Sequence, residues 1–179
     1  MTAEANVPRF AVGRRLLGNT SVTMFYRMAV LDQTLTALRE AGYHIAQANA
    51  SRWLSVKDMH WDLSRVLHFP EYYGENLDAF NDCLRDVACR EYGFPEDATG
   101  LVLVLTGYDE FAHEFPEQAH GLVDVFAVRS RNAMLNGEQL ICLIQSDDPD
   151  VRFEPVGAMP VLWNDAEWLD SSRHPENLP

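Results

Sequence analysis

Two uninterrupted apolar runs constrain the fold of this chain most strongly. Residues 101–105 read LVLVL, and residues 140–145 read LICLIQ. Runs of this kind are typical of strands that are buried on both faces, as in parallel sheets covered by helices. Between the two runs, residues 117–134 repeat their apolar side chains at helical spacing and end before Gly137. This strand–helix–strand order predicts a parallel α/β sheet with right-handed crossovers.

The rest of the chain continues the alternation. The pattern predicts strands at residues 21–27 and 43–49, and helices at residues 31–41, 56–68 and 76–90. Residues 1–19 are expected to form a loose arm, and residues 151–163 a short hairpin around residues 155–160. A length of 179 residues suits one domain, and an apolar content of 47% is enough for a core. We therefore expect one α/β domain spanning residues 1–179.

Charge and apolar patterning limit the classes of partner. The net charge of −13 argues against nucleic acid and against anionic membranes, and it favours a basic protein partner. No apolar run approaches the length of a membrane span, and the N-terminus lacks the apolar block of a signal peptide. Three cysteines without a CxxC pair indicate reduced thiols rather than a disulfide framework. We expect a cytoplasmic protein.

The helix predicted after Asn76 carries an unusual acidic face. Asp78, Asp82 and Asp86 are four residues apart, so their side chains are neighbours on the side opposite the apolar stripe. Each like-charge pair costs about 0.2–0.5 kcal/mol, and Arg85 is the only cation between them. The simpler interpretation is a solvated acidic face. The alternative is a surface that meets a positively charged partner.

The residues before this helix favour the second interpretation. Tyr72 and Tyr73 precede Gly74 in a predicted turn. Tyrosine provides rigid contact area with a polar end, as interface anchors do. Because aromatic residues beside a helix start usually pack, we expect one of the two tyrosines to lie in the core.

Residues 69–87, FPEYYGENLDAFNDCLRDV, resemble the signature of the barstar family of intracellular ribonuclease inhibitors. The match is almost unbroken through PEYYGENLDA and continues at DCL. The order of the predicted elements fits over residues 43–146. The resemblance implies a barstar-like parallel sheet with flanking helices. Residues 1–42 are then an N-terminal extension that adds an edge strand and a helix. Residues 147–179 are a C-terminal extension that adds a strand or hairpin.

The resemblance also implies a partner-binding site. In that family the helix and the preceding loop block the active site of a secreted ribonuclease. The matching positions here are Tyr72, Gly74, Asn76, Leu77, Asp78 and Asp82. The resemblance implies that Asp82 takes the place of the substrate phosphate and that Asp78 is a second acidic contact.

This chain departs from the family pattern at several contact positions. Asn81 replaces a contact tryptophan, Arg85 and Asp86 replace Thr-Gly, and Val128 replaces a contact glutamate. We include Asn81, Arg85 and Asp86 in the predicted site. The differences point to a basic extracellular or toxin ribonuclease other than barnase. The resemblance implies inhibition without a reaction, and we expect no cofactor and no metal ion. Because an inhibitor that plugs one active site needs only one copy, we expect a monomer.

Two alternatives remain open at this point. One is a barstar-shaped module that binds a protein other than a nuclease. The other is an enzyme that uses Asp78 and Asp82 as an acid–base pair, although carboxylates on an open helix face lack the burial that separates their pKa values. His113 and His120 are seven residues apart without an evident third ligand, so no metal site is expected.

Overall fold

The computed structural model describes residues 11–18 and 20–174 of the chain. Helices and strands alternate along most of this length. In chain order they are α1 (Ala11–Leu17), β1 (Val22–Phe25), α2 (Met28–Glu40), β2 (His44–Asn49), a 3-10 turn (Ala50–Arg52), α3 (Val56–Val66), α4 (Leu77–Ala88), β3 (Leu101–Thr106), α5 (Tyr108–Glu114), α6 (Pro116–Leu135), β4 (Leu140–Gln145), β5 (Leu162–Trp163) and α7 (Asp170–Arg173).

The five strands form one parallel sheet in the order β2-β3-β4-β1-β5. The prediction of a parallel α/β sheet is confirmed. β3 and β4 pair from Leu101 opposite Leu140 to Leu105 opposite Ile144. All of β4 and all of β3 except Thr106 are buried. The two apolar runs are therefore the centre of the sheet.

Helices cover both faces of the sheet, which explains why the central strands are apolar from Leu101 to Leu105 and from Leu140 to Ile144. Leu101, Leu103 and Leu105 point to a core shared with α3, α4, α5 and α6. Val102 and Val104 point to a second core on the other face, shared with α1 and α2. The N-terminal extension thus supplies the second layer of helices.

The N-terminal extension differs from expectation in two ways. β1 was expected at the edge of the sheet, but this was wrong, because β5 pairs with it on its outer side. The prediction of a loose arm was wrong for residues 11–17. These residues form α1, and Leu17 lies in the second core. A helix of seven residues shows too few repeats to be recognised by periodicity. The remainder of the arm, residues 1–10 and 19, lies outside the described residues.

The C-terminal extension forms a turn and a strand rather than a hairpin of two strands. One antiparallel bridge joins Val156 to Met159, and β5 then pairs in parallel with β1. Pro155 and Pro160 flank the bridge. Because proline has no N–H group to donate, the antiparallel ladder does not extend beyond it.

The two extensions contact each other. The Tyr26 and Arg27 amides each donate to the carboxylate of Glu167 at 2.9 Å. Thr20 Oγ1 donates to the Pro160 carbonyl at 2.7 Å. These hydrogen bonds join the N-terminal extension to the C-terminal extension beside β1.

No helix within residues 11–18 and 20–174 has both the length and the apolar character needed to cross a membrane. Nor does this part of the chain contain a group of three or more side chains that could hold a metal ion.

Candidate partner-binding site

The start of α4 is fixed by its cap. Asn76 Oδ1 accepts a hydrogen bond from the Ala79 amide at 2.8 Å, and Asn76 Nδ2 donates to the Gly74 carbonyl at 3.1 Å. Such a cap contributes about 0.5–2 kcal/mol to stability. Asp78 lies in the first turn, where the helix dipole favours a negative charge. One side chain therefore orders both the helix start and the loop before it.

The inner face of α4 holds the helix in place. Phe80, Cys83, Leu84 and Val87 are all buried in the core. Leu77 packs over Gly121 of α6, where an added Cβ would lie 2.5 Å from Leu77 Cδ1. The glycine thus permits close contact between the two helices. Leu77 is half-buried in this contact, so its predicted contact with a partner is restricted to the exposed part of the side chain.

The two tyrosines before α4 point in different directions. Tyr73 is bound to the buried His60, whose Nδ1 lies 2.6 Å from the Tyr73 hydroxyl, and its ring packs on Phe69. Burial lowers the pKa of His60, while the charge of Glu75 acts in the opposite direction. Tyr72 is 76% exposed. The expectation that one tyrosine packs in the core is confirmed, and the other is free for contact.

The outer face of α4 presents Asp82 to solvent. Its side chain is 65% exposed, and Asp78 is also exposed. Arg85 Nη1 lies 3.6 Å from the Asp82 carboxylate. Because both side chains are exposed, water screens their attraction and the ion pair is weak. The Asp82 carboxylate therefore still has acceptor positions open to other groups. A cationic partner can therefore compete for this carboxylate.

Asp86 is placed differently from the other two acids. Its side chain is only 21% exposed, and it accepts hydrogen bonds from Arg85 Nε at 3.2 Å and from the Tyr92 hydroxyl at 3.5 Å. Burial, followed by the interactions of Tyr92 with Cys83 and Asp86, raises the pKa of the Tyr92 hydroxyl. Asp86 thus orients the Arg85 side chain through this hydrogen bond. The contact of Asp86 with a partner remains a prediction.

A cation that sequence analysis missed lies beside this face. Arg129 of α6 donates from Nε to Asn81 Oδ1 at 2.8 Å. Nothing in the spacing along α4 could reveal it, because the two residues are 48 positions apart. Packing of α4 on α6 brings them together. The surface around Asp82 therefore contains two guanidinium groups as well as carboxylates.

The predicted contact residues lie together on the loop before α4 and on α4 itself. They are Tyr72, Gly74, Asn76, Leu77, Asp78, Asn81, Asp82, Arg85 and Asp86. The exposed ones are Tyr72, Gly74, Asn76, Asp78, Asp82 and Arg85, while the others are half-buried.

Comparison with known proteins gives a matching family and likenesses among solved structures. A chain in the solved structure of Drosophila ORC bound to AT-rich DNA and Cdc6 is 15% identical, with 76% of the present chain and 42% of that chain covered, at a TM-score of 0.46. The present chain thus spans less than half of that chain, and a TM-score of this size does not establish a shared fold. The family model described as Barstar (barnase inhibitor) matches residues 43–145. Because this match covers more than half of the chain, the protein belongs to the barstar family.

Proposed function

We propose that this protein binds a basic ribonuclease and blocks its active site, with Asp82 and Asp78 in the place of substrate phosphates. The observation that carries the proposal is the 65% exposed Asp82 carboxylate on a helix whose opposite face is buried. Membership of a barnase-inhibitor family supports it. One copy occupies one active site, so we propose a monomer that forms a 1:1 complex in the cytoplasm.

The chemistry of the exposed face suits such a target. Ribonuclease sites bind phosphate through cationic side chains, and a carboxylate can accept two hydrogen bonds from one guanidinium. Because α4 is capped and packed, little side-chain and backbone freedom is lost when it binds. Tyr72 adds rigid contact area beside the acids. The inhibitor needs no reaction, because it excludes the substrate.

The two guanidinium groups narrow the choice of partner. Arg85 Nε donates to Asp86 and Arg129 Nε donates to Asn81, but each guanidinium has further N–H groups. A partner that covers these N–H groups must supply acceptors for them. We therefore propose a ribonuclease that is related to barnase but differs from it at the rim of the site.

The proposal predicts a strong effect of salt on association. Because the net charge is −13, attraction to a basic enzyme accelerates encounter at low ionic strength. The association rate constant is expected to fall by about 10-fold or more between 50 mM and 500 mM salt. The dissociation rate, measured in the same stopped-flow series, is the internal control and changes less. An association rate that does not respond to salt would exclude electrostatic steering.

An inhibition titration tests the proposed function. RNA hydrolysis by barnase and by other purified basic ribonucleases is followed while the protein is added, with the isosteric Asp82→Asn variant alongside. We expect the wild-type protein to abolish the activity of a susceptible enzyme at one molar equivalent, and a mononucleotide to compete. Full activity of every enzyme at a large excess of inhibitor, the basic ribonucleases of the producing organism included, would contradict the proposal.

A second candidate function is binding of a protein that is not a nuclease. The mixed charge of the outer face, with Arg85 beside Asp82 and Arg129 on Asn81, favours it. Such a partner would be retained by the wild-type protein without any ribonuclease activity in the complex.

A further inference from the structure

The turn in the C-terminal extension is closed by two backbone hydrogen bonds. The amides of Val156 and Met159 donate to each other's carbonyls at 2.8 and 2.9 Å. Between them, Gly157 and Ala158 have φ angles of 55° and 62°. Proline on each side, at positions 155 and 160, restricts the backbone further. We call residues 155–160 the tail turn.

The tail turn is fixed to α6. The Gly157 amide donates to Asp124 Oδ1 at 2.8 Å, and Arg131 Nη1 donates to the Gly157 carbonyl at 2.8 Å. An added Cβ on Gly157 would lie 3.0 Å from Ala127 Cβ and 3.2 Å from the Val128 amide nitrogen. Glycine thus suits the positive φ at this position and permits the close approach to α6.

The same part of α6 connects the tail turn to α4. At 100° per residue, Ala127, Val128 and Arg129 lie about 100°, 160° and 60° from the buried Phe126, so Val128 faces outward between the other two. Ala127 contacts the tail turn, and Arg129 reaches Asn81 on α4. The outer surface therefore runs from α4 across α6 to the tail turn.

The size of protein interfaces favours use of this whole surface. A stable complex buries about 800 Å² on each partner, from about 20–30 residues. The outer face of α4 and the loop before it offer only a few exposed side chains, Tyr72, Asp78, Asp82 and Arg85 foremost. A ribonuclease seated on α4 must extend over neighbouring surface. The tail turn is already ordered, so its contact costs little conformational entropy.

We propose that the tail turn is a second contact element for the ribonuclease, which extends the interface of α4 across α6. This inference rests on the proposed function. The turn presents Ala158 at its tip, with Pro155, Pro160 and the preceding Glu154 also exposed. The turn therefore offers a small apolar tip with one carboxylate, Glu154, and one guanidinium, Arg131, beside it.

Charge at the tip of the tail turn provides the test. Ala158→Lys places a cation against the basic enzyme, while Ala158→Asp adds an attractive charge at a left-handed position that aspartate tolerates. The matched control is Ala29→Lys, at an exposed position on α2 on the other side of the sheet. Dissociation constants are measured with barnase and the other basic ribonucleases of the inhibition titration. Thermal melting of each variant verifies the fold.

We expect Ala158→Lys to weaken binding by about 10-fold or more, Ala158→Asp to retain or tighten it, and Ala29→Lys to change it less than about twofold. Asp82→Ala is measured in parallel. If Asp82→Ala weakens binding while Ala158→Lys behaves like Ala29→Lys, the tail turn lies outside the interface and this inference is overturned, with the proposed function intact. If neither Asp82→Ala nor Ala158→Lys weakens binding, the proposed function fails as well.

Discussion

Replacement of Asp82 by alanine is expected to weaken binding of the ribonuclease by about 30-fold or more, which corresponds to about 2 kcal/mol. In the complex this carboxylate is desolvated against the cations that normally bind phosphate. Its removal leaves those cations buried without a partner, which costs more than the loss of a rim contact. The dissociation constant, measured by calorimetry or by surface-based kinetics, gives the effect directly.

Asp32→Ala is the matched control for this substitution. Asp32 is an exposed acid on α2, on the other side of the sheet, and its removal changes the net charge by the same amount. We expect Asp32→Ala to alter binding only by weakening the long-range electrostatic attraction between the inhibitor and the basic enzyme. Equal effects of Asp32→Ala and Asp82→Ala would show that charge alone matters and would remove Asp82 from the site.

The largest expected effect on stability comes from Glu167. Its side chain is fully buried and accepts from the Tyr26 amide, from the Arg27 amide and Nε at 2.9 Å, and from Asn164 Nδ2 at 2.5 Å. Glu167→Ala removes the acceptor of the Tyr26 and Arg27 amides and leaves a cavity at a buried position, so we expect a loss of about 3 kcal/mol or more in the free energy of unfolding. Urea denaturation measures it. Glu167→Gln keeps the shape of the side chain and is expected to lose less.

The pH dependence of this contribution distinguishes charge from packing. Burial raises the pKa of Glu167, but the hydrogen bonds from Tyr26, Arg27 and Asn164 outweigh burial and lower the pKa below its usual value. The pKa of Glu167 is therefore lower in the folded state than in the unfolded state. The ionised carboxylate contributes fully to stability above about pH 5, and this contribution is lost as the pH falls through the folded-state pKa. The stability difference between wild type and Glu167→Gln should therefore shrink from pH 7 to pH 3. A constant difference would show that the charge of Glu167 contributes nothing.

The parts of the fold that are encoded locally could be predicted from the sequence. The LVLVL and LICLIQ runs identify buried parallel strands, because helices cover both faces of the sheet. The spacing of Asp78 and Asp82 against the apolar stripe gives the orientation of α4, because a helix has one fixed period. Asn76 as the cap follows from the same local rules.

The features that depend on long-range pairing could not be predicted. β5 has only two residues, Leu162 and Trp163, which is too short for an alternating pattern. Because β5 pairs outside β1, nothing in the sequence indicated that β1 lies inside the sheet. Glu167 binds the Tyr26 amide across 141 positions, which periodicity does not report. Arg129 reaches the site from α6 for the same reason. In each case packing between elements, rather than local spacing, determines the contact.

Affinity capture from the producing organism tests whether the target of this protein is a basic ribonuclease. Secreted and cytosolic proteins are passed over immobilised wild-type protein and over immobilised Asp82→Ala, and the eluates are assayed for RNA hydrolysis after separation from the inhibitor. The account predicts a small basic ribonuclease that is retained by the wild-type protein and absent from the Asp82→Ala eluate. Absence of any ribonuclease from the wild-type eluate, with a protein that lacks ribonuclease activity retained in its place, would contradict the proposed function.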